Sequence, residues 1–123
     1  MSGPRAEELE RELEEARASL EHLVARAYAQ RKSVLDRTSR DRLREEVWRQ
    51  RMKVAELERD YSGELLAGAA REAGEAAASQ DHERYEEVHQ RIARYRVRFA
   101  DASDLLEKLK EDGPASSARL LGG

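Results

Sequence analysis

Between Tyr85 and Leu109 the residues Tyr85, Val88, Ile92, Tyr95, Phe99, Ala102, Leu106 and Leu109 follow one another at alternating steps of three and four. That spacing places all of them on one narrow stripe of an α-helix, the seam by which one helix packs along another. At ~1.5 Å per residue the segment is a rod roughly 36 Å long, longer than the buried helix of a compact small domain. A chain built around such a rod must supply others to lie against it.

Two further segments have the required pattern. Ala6, Leu9, Leu13, Ala16, Leu20, Leu23, Ala27, Gln30 and Val34 again step by three and four, and Val24, Tyr28 and Leu35 widen the stripe toward its end. Ser2 or Gly3 can cap this rod, Pro4 suits its first turn, and Glu7 and Glu8 suit the positive end of its dipole. The next rod carries two stripes: Val47, Val54, Leu57, Tyr61 and Leu65 lie within roughly 40° of Leu43 on either side, while Trp48, Met52, Ala55, Leu66, Ala70 and Ala73 lie at about 120–180° from it. Two stripes require two sets of neighbours, either two helices of the same chain or one of its own and one of another chain.

The connections are marked less evenly. Between Asp36 and Asp41 the apolar residues lapse, and Thr38 with Asp41 three positions later predicts a corner and a helix cap. Residues 66–78 are almost all Ala and Gly, which lets helix backbones approach closely, and Ser79, Gln80 and Asp81 predict a break and a fresh cap. Gly113 followed by Pro114 predicts a helix stop. The expected fold is therefore all-α, with three long helices at about 4–37, 40–79 and 81–112 in an antiparallel coiled-coil bundle or helical hairpin. One domain over residues 1–113 and a flexible tail over 114–123, ending Gly122-Gly123, complete the expected organisation.

Charged residues make up 40% of the chain and the mean hydropathy is −0.91, values shared by long solvated helices and by disordered chains; periodicity selects the former. Of the 39% that is hydrophobic, 19 residues are alanine, so the apolar bulk is small for the length of chain to be ordered. A buried Leu contributes about 1.5–3 kcal/mol whereas fixing each residue costs about 1–2 kcal/mol, so a lone copy is expected to be marginal and to pair with itself or with another helical protein. The chain has no cysteine, hence no disulfide framework and no thiolate chemistry. No apolar run is long enough for a bilayer and the N-terminus lacks a secretion signal, so the expected setting is cytoplasmic, without membrane contact.

Catalytic and metal-binding patterns are sparse. Glu86 and His89 form a Glu-x-x-His pair of the kind found in di-iron bundles, but those sites need a second pair, and none exists in the sequence. His82 and His22 read as solvated or seam-edge residues. No phosphate loop, nucleophile elbow or His-Glu-x-x-His motif occurs, so no catalytic residue, cofactor or metal is expected.

Charge is arranged in blocks: net −3 over residues 1–30, +3 over 31–60, −5 over 61–90 and +2 over 91–123. Such blocks set register and orientation between helices. They also raise an alternative, a nucleic-acid or ribonucleoprotein accessory factor gripping phosphate with Arg42, Arg49, Lys53, Arg91, Arg94 and Arg98. Against this stand the interleaved acids, the negative total and the scarcity of aromatics free to stack on bases. The expected function is a non-enzymatic scaffold or adaptor that assembles by helix pairing. Tyr61, Tyr85, Val88, Ile92, Tyr95, Phe99 and Leu106 form the expected packing seam. Trp48, Met52, Ala55 and Leu66 form the expected partner interface, because tryptophan and methionine favour such surfaces.

Overall fold

The computed structural model describes residues 3–30 and 37–115 of the chain. Three helices account for nearly all of them: α1 over Pro4–Gln30, α2 over Arg37–Ala78 and α3 over His82–Asp112. No strand occurs among the described residues. Cross-helix pairs run in opposite senses along the chain. Trp48 meets Leu109, Glu58 meets Arg98, Glu72 meets Arg91 and Glu75 meets Arg84, which makes α3 antiparallel to α2. Gln50 meets Ala16 and Glu58 meets Arg17, which makes α1 antiparallel to α2 on its other side. The result is a three-helix bundle with α2, the longest helix at 42 residues, in the middle.

Helix ends follow local chemistry. Pro4 is the first residue of α1, where its missing N–H costs nothing, and the Gly3 carbonyl accepts from the amides of Ala6 and Glu7. Between α2 and α3 the Gln80 N–H donates to Ala77 O and the Asp81 N–H to Ala76 O, the paired bonds of a Schellman motif. Gln80 occupies the left-handed position with φ 58°, where glycine is usual. Asp81 then caps α3, its carboxylate accepting from Arg84 N at 3.1 Å and its carbonyl from Tyr85 N. One residue thus ends one helix and starts the next, so the reversal is tight. At the far end Gly113 has φ 64° and donates its N–H to Leu109 O, and Gly113, Pro114 and Ala115 form a short 3₁₀ turn.

Two apolar clusters join α2 to α3. Ala55, Leu106 and Leu109 pack with Trp48 and Met52, and Ala69, Val88 and Ile92 pack with Leu66, Ala73 and Tyr95. The second stripe of α2 is therefore taken up by α3 of the same chain. The stripe from Leu43 to Leu65 lies toward α1: Leu57 faces Ala16 and Ser19, and Leu43 faces Arg26 and Gln30. Both flanks of the middle helix are covered within one copy, which selects the first of the two arrangements the sequence allowed.

The core is thin. Fifteen apolar residues are buried among those described, and seven of them are alanines: 6, 16, 27, 55, 69, 76 and 102. Of the larger apolar side chains eight are buried, eleven are half-buried and five are exposed. Leu20, Leu23 and Val24 of α1 are only half-buried although they continue the seam.

One expected boundary shifts. α2 is already helical at Arg37, so Thr38 and Ser39 lie inside its first turn instead of forming a corner and cap before residue 40. The local polarity of residues 38–41 marks an exposed first turn of α2, not a break. The expected extension of the first rod to residue 37 falls on 31–36, and most of the expected tail on 116–123, all outside the described residues.

Candidate functional site

The polar centre of the bundle is Glu58, halfway along α2. Its side chain is 17% exposed and lies about 60° from Leu43 on the helix wheel, at the margin between the two stripes. One carboxylate oxygen accepts from Arg17 Nη2 of α1 at 2.7 Å. The other accepts from Arg98 Nε at 2.9 Å and Nη2 at 2.7 Å, both from α3. A single carboxylate therefore ties all three helices at one level. Two structural consequences follow nearby. The Arg98 guanidinium sits 5.4 Å from the centre of the Tyr61 ring, within reach of a cation–π contact. One turn on, the wholly buried Ser62 donates its hydroxyl to the Glu58 carbonyl at 2.7 Å.

Tyr61 is pushed above its ordinary phenolic range, first by burial and then by the neighbouring Glu10 charge, with Arg98 opposing. A second cross-helix pair, Arg91 Nη2 to Glu72 at 2.6 Å, lies nearer the α2–α3 turn. The hydrogen bond to Glu72 holds the Arg91 guanidinium above its usual range, while its buried Nε has no partner. Beside this pair is a shallow depression of about 120 Å³ lined by Glu64, Leu65, Gly68, Ala69 and Tyr95 as well. Two larger open grooves follow the α1–α2 seam. One of about 420 Å³ is lined by Glu12, Glu15, Ala16, Ser19, Lys53 and Leu57, and one of about 350 Å³ by Arg26, Gln30, Ser39, Arg42, Leu43 and Glu46.

The residues expected as a partner interface pack against α3 of the same chain: Ala55 is buried there, and Trp48, Met52 and Leu66 are half-buried. Trp48 and Met52 pack on the Ala55, Leu106 and Leu109 cluster, and Leu66 packs on Val88 and Ile92. The Trp48 indole N–H also donates to Leu109 O at 2.7 Å, fixing the end of α3 against α2. The stripe's separation from the first seam reflects a second helix of the same chain.

The expected seam divides by position. Val88, Ile92 and Leu106 are buried, Tyr61 and Tyr95 are half-buried, and Tyr85 and Phe99 are 36% and 39% exposed. The Phe99 ring lies over Gly63, 3.5 Å from where a Cβ would stand, so it covers the α2 backbone at the rim of the bundle. Tyr85 stacks on His89, ring centroids 5.5 Å apart, near the α2–α3 turn.

The six basic residues of the phosphate-binding alternative are not gathered on one free face. Arg49 pairs with Glu45 at 2.6 Å, Arg91 with Glu72 and Arg98 with Glu58, all inside the chain. Arg42 and Lys53 line separate grooves along α1, and Arg94 is exposed on α3. Glu86 and His89 are both exposed. Among the described residues no group of three or more His, Cys, Asp or Glu side chains is placed to hold a metal ion, and no helix is long and apolar enough to cross a membrane.

The Glu58 clamp is the feature that reading the sequence missed. Its signal was a lone carboxylate near an otherwise apolar face, hidden by the abundance of Glu elsewhere. Chemically the arrangement offers long helical faces, two charge-tied seams and shallow grooves. No protein-family model matches this chain, and neither a curated protein nor a solved structure does.

Proposed function

We propose that the chain is a non-enzymatic assembly protein, a scaffold or adaptor that pairs through its helical faces with itself or with another helical protein. The observation that carries this reading is the balance of apolar side chains: eight large ones buried against sixteen half-buried or exposed among the described residues. With alanine supplying nearly half of the buried set, a single copy gains little from burial for the length of helix it orders. Covering more of the half-buried leucines, valines and tyrosines is the direct way to gain more. Because Trp48, Met52, Ala55 and Leu66 already pack against α3, we assign the surface offered to another helical protein to α1 around Leu20, Leu23, Val24 and Tyr28, and to α3 around Val97, Phe99 and Leu105.

Binding to nucleic acid has weaker support, since three of its six basic residues already satisfy carboxylates of the same chain. Light scattering coupled to size separation, run on the full chain from nanomolar to high micromolar concentration, tests the proposal. Growth of mass with concentration supports pairing with itself, and loss of binding to a helical partner on Leu23→Glu or Val97→Glu, with helicity retained, supports pairing with another protein. Strict monomer behaviour throughout, together with binding of a generic duplex that falls steeply with salt, would favour the phosphate-binding alternative.

A further inference from the structure

The two ends of the bundle carry opposite charge. Around the α2–α3 turn, residues 71–91 contain Glu72, Glu75, Asp81, Glu83, Glu86 and Glu87 against Arg71, Arg84 and Arg91, net −3. At the opposite end, residues 26–30 of α1 and 37–44 of α2 contain Arg26, Arg37, Arg40, Arg42 and Arg44 against Asp41, net +4, which the last six residues of α3 reduce only to +3. Most of these groups are solvent-facing: residues 77–87 are all exposed, as are 37–42.

The acidic end is also the thinner one. The Gln50–Ala16 and Glu58–Arg17 contacts set the antiparallel register so that Pro4 reaches no further than the level of about residue 71 of α2. Beyond that level α2 and α3 continue for roughly 10 Å as a pair without α1. On the α2 side of this stretch Ala73, Gly74, Ala76, Ala77 and Ala78 are small, and Gly74 has open space where a Cβ would stand. The exposed Tyr85 lies in the same stretch. A low-relief two-helix end with excess negative charge is complementary to an end of the same molecule with excess arginine.

We infer that copies of this chain associate head to tail, the acidic α2–α3 turn of one copy docking on the arginine-rich end formed by α1 and the start of α2 in the next. The inference rests on the self-pairing reading above and specifies its surface and geometry. The two docking surfaces differ, so the contact is heterologous and each copy keeps a free end of either sign; association proceeds to open chains and does not stop at a two-fold dimer. Opposite potentials favour the encounter and disfavour like ends meeting, and screening weakens both effects once the Debye length falls below about 10 Å.

The experiment uses the full chain and two exposed double substitutions, Glu86→Arg with Glu87→Arg at the acidic end and Arg40→Glu with Arg42→Glu at the basic end. Each shifts the charge of its end by four units, past neutral, and touches no buried residue. Unchanged helical circular dichroism verifies folding, and sedimentation velocity at low and high salt reads the mass. The parent chain is expected to form species larger than two copies at low salt, with apparent affinity falling tenfold or more at high salt. Each variant alone is expected to be monomeric. Mixed in equal amounts, each retains the end the other needs, so they are expected to form a one-to-one pair that grows no further. Variants that assemble singly to the parent mass would overturn head-to-tail docking while leaving self-pairing intact. A parent chain that stays monomeric at every salt and concentration would remove self-pairing itself.

Discussion

Replacing Glu58 with glutamine isolates the clamp without changing its shape. The amide keeps one acceptor oxygen but presents an N–H₂ donor where the second guanidinium expects an acceptor, and the negative charge is lost. In the parent chain three hydrogen bonds of 2.7–2.9 Å converge on this side chain, which is 17% exposed, whereas Arg17 and Arg98 are 52% and 40% exposed. Bonds to a charged group contribute about 1.5–3 kcal/mol each when shielded. The exposure of both arginines lets them turn to water, which lowers the total toward that of a solvated network, about 1.5–3 kcal/mol for all three bonds together. For a domain of this size that is a fall in Tm of about 5–12 °C. Melting followed by far-UV circular dichroism at fixed protein concentration measures it. Arg98 supplies two of the three bonds and the contact with Tyr61, so Arg98→Ala should destabilise more than Arg17→Ala. A Glu58→Gln chain melting within a degree of the parent, or the reverse order of the two arginines, would refute the clamp.

Three further outcomes follow from local structure. Gln80→Gly should raise stability by about 0.5–1 kcal/mol in a denaturant titration, because Gln80 holds φ 58° in the Schellman turn and a left-handed non-glycine residue costs about 1–2 kcal/mol. Trp48→Phe should lower it by about 1–2 kcal/mol and increase amide exchange in the last turn of α3, since the indole N–H to Leu109 O bond at 2.7 Å is lost from a half-buried site. The folded-state pKa of Tyr61 lies above its unfolded value of 10.0, chiefly through burial, so its contribution to stability is full below pH 10 and disappears as pH rises through the folded value. Alkaline melts should show this loss in the parent and a smaller one in Tyr61→Phe.

Much of this architecture could be read from spacing. Asp81 and Gly113 punctuate α3 because capping is local chemistry, an acceptor for free amides at one end and a residue tolerant of positive φ at the other. The two stripes of α2 correctly required two neighbours. What spacing could not supply was the identity of the second neighbour, which depends on how far the chain folds back on itself. For the same reason Trp48 read as an interface residue although α3 covers it. Tyr85 and Phe99 share the wheel position of buried Val88 and Ile92, yet both remain exposed. Tyr85 sits near the α2–α3 turn, past the level reached by α1, and Phe99 rests on the flat backbone at Gly63. Relative helix stagger decides the first case and the missing side chain at Gly63 the second, and the spacing within α3 encodes neither. Thr38 suggested a cap through its residue type, while the actual start at Arg37 leaves Thr38 as an exposed first-turn residue. Glu58 was legible only as a charge in the wrong place.

Thermal melting of the parent chain over a thousandfold range of concentration bears most directly on the claim that this thin bundle is completed by association. If folding and pairing are coupled, Tm should rise by about 2–4 °C for each tenfold increase in chain concentration. A Tm that does not move across that range would mean that one copy already holds all the stability it has, contradicting the assembly role.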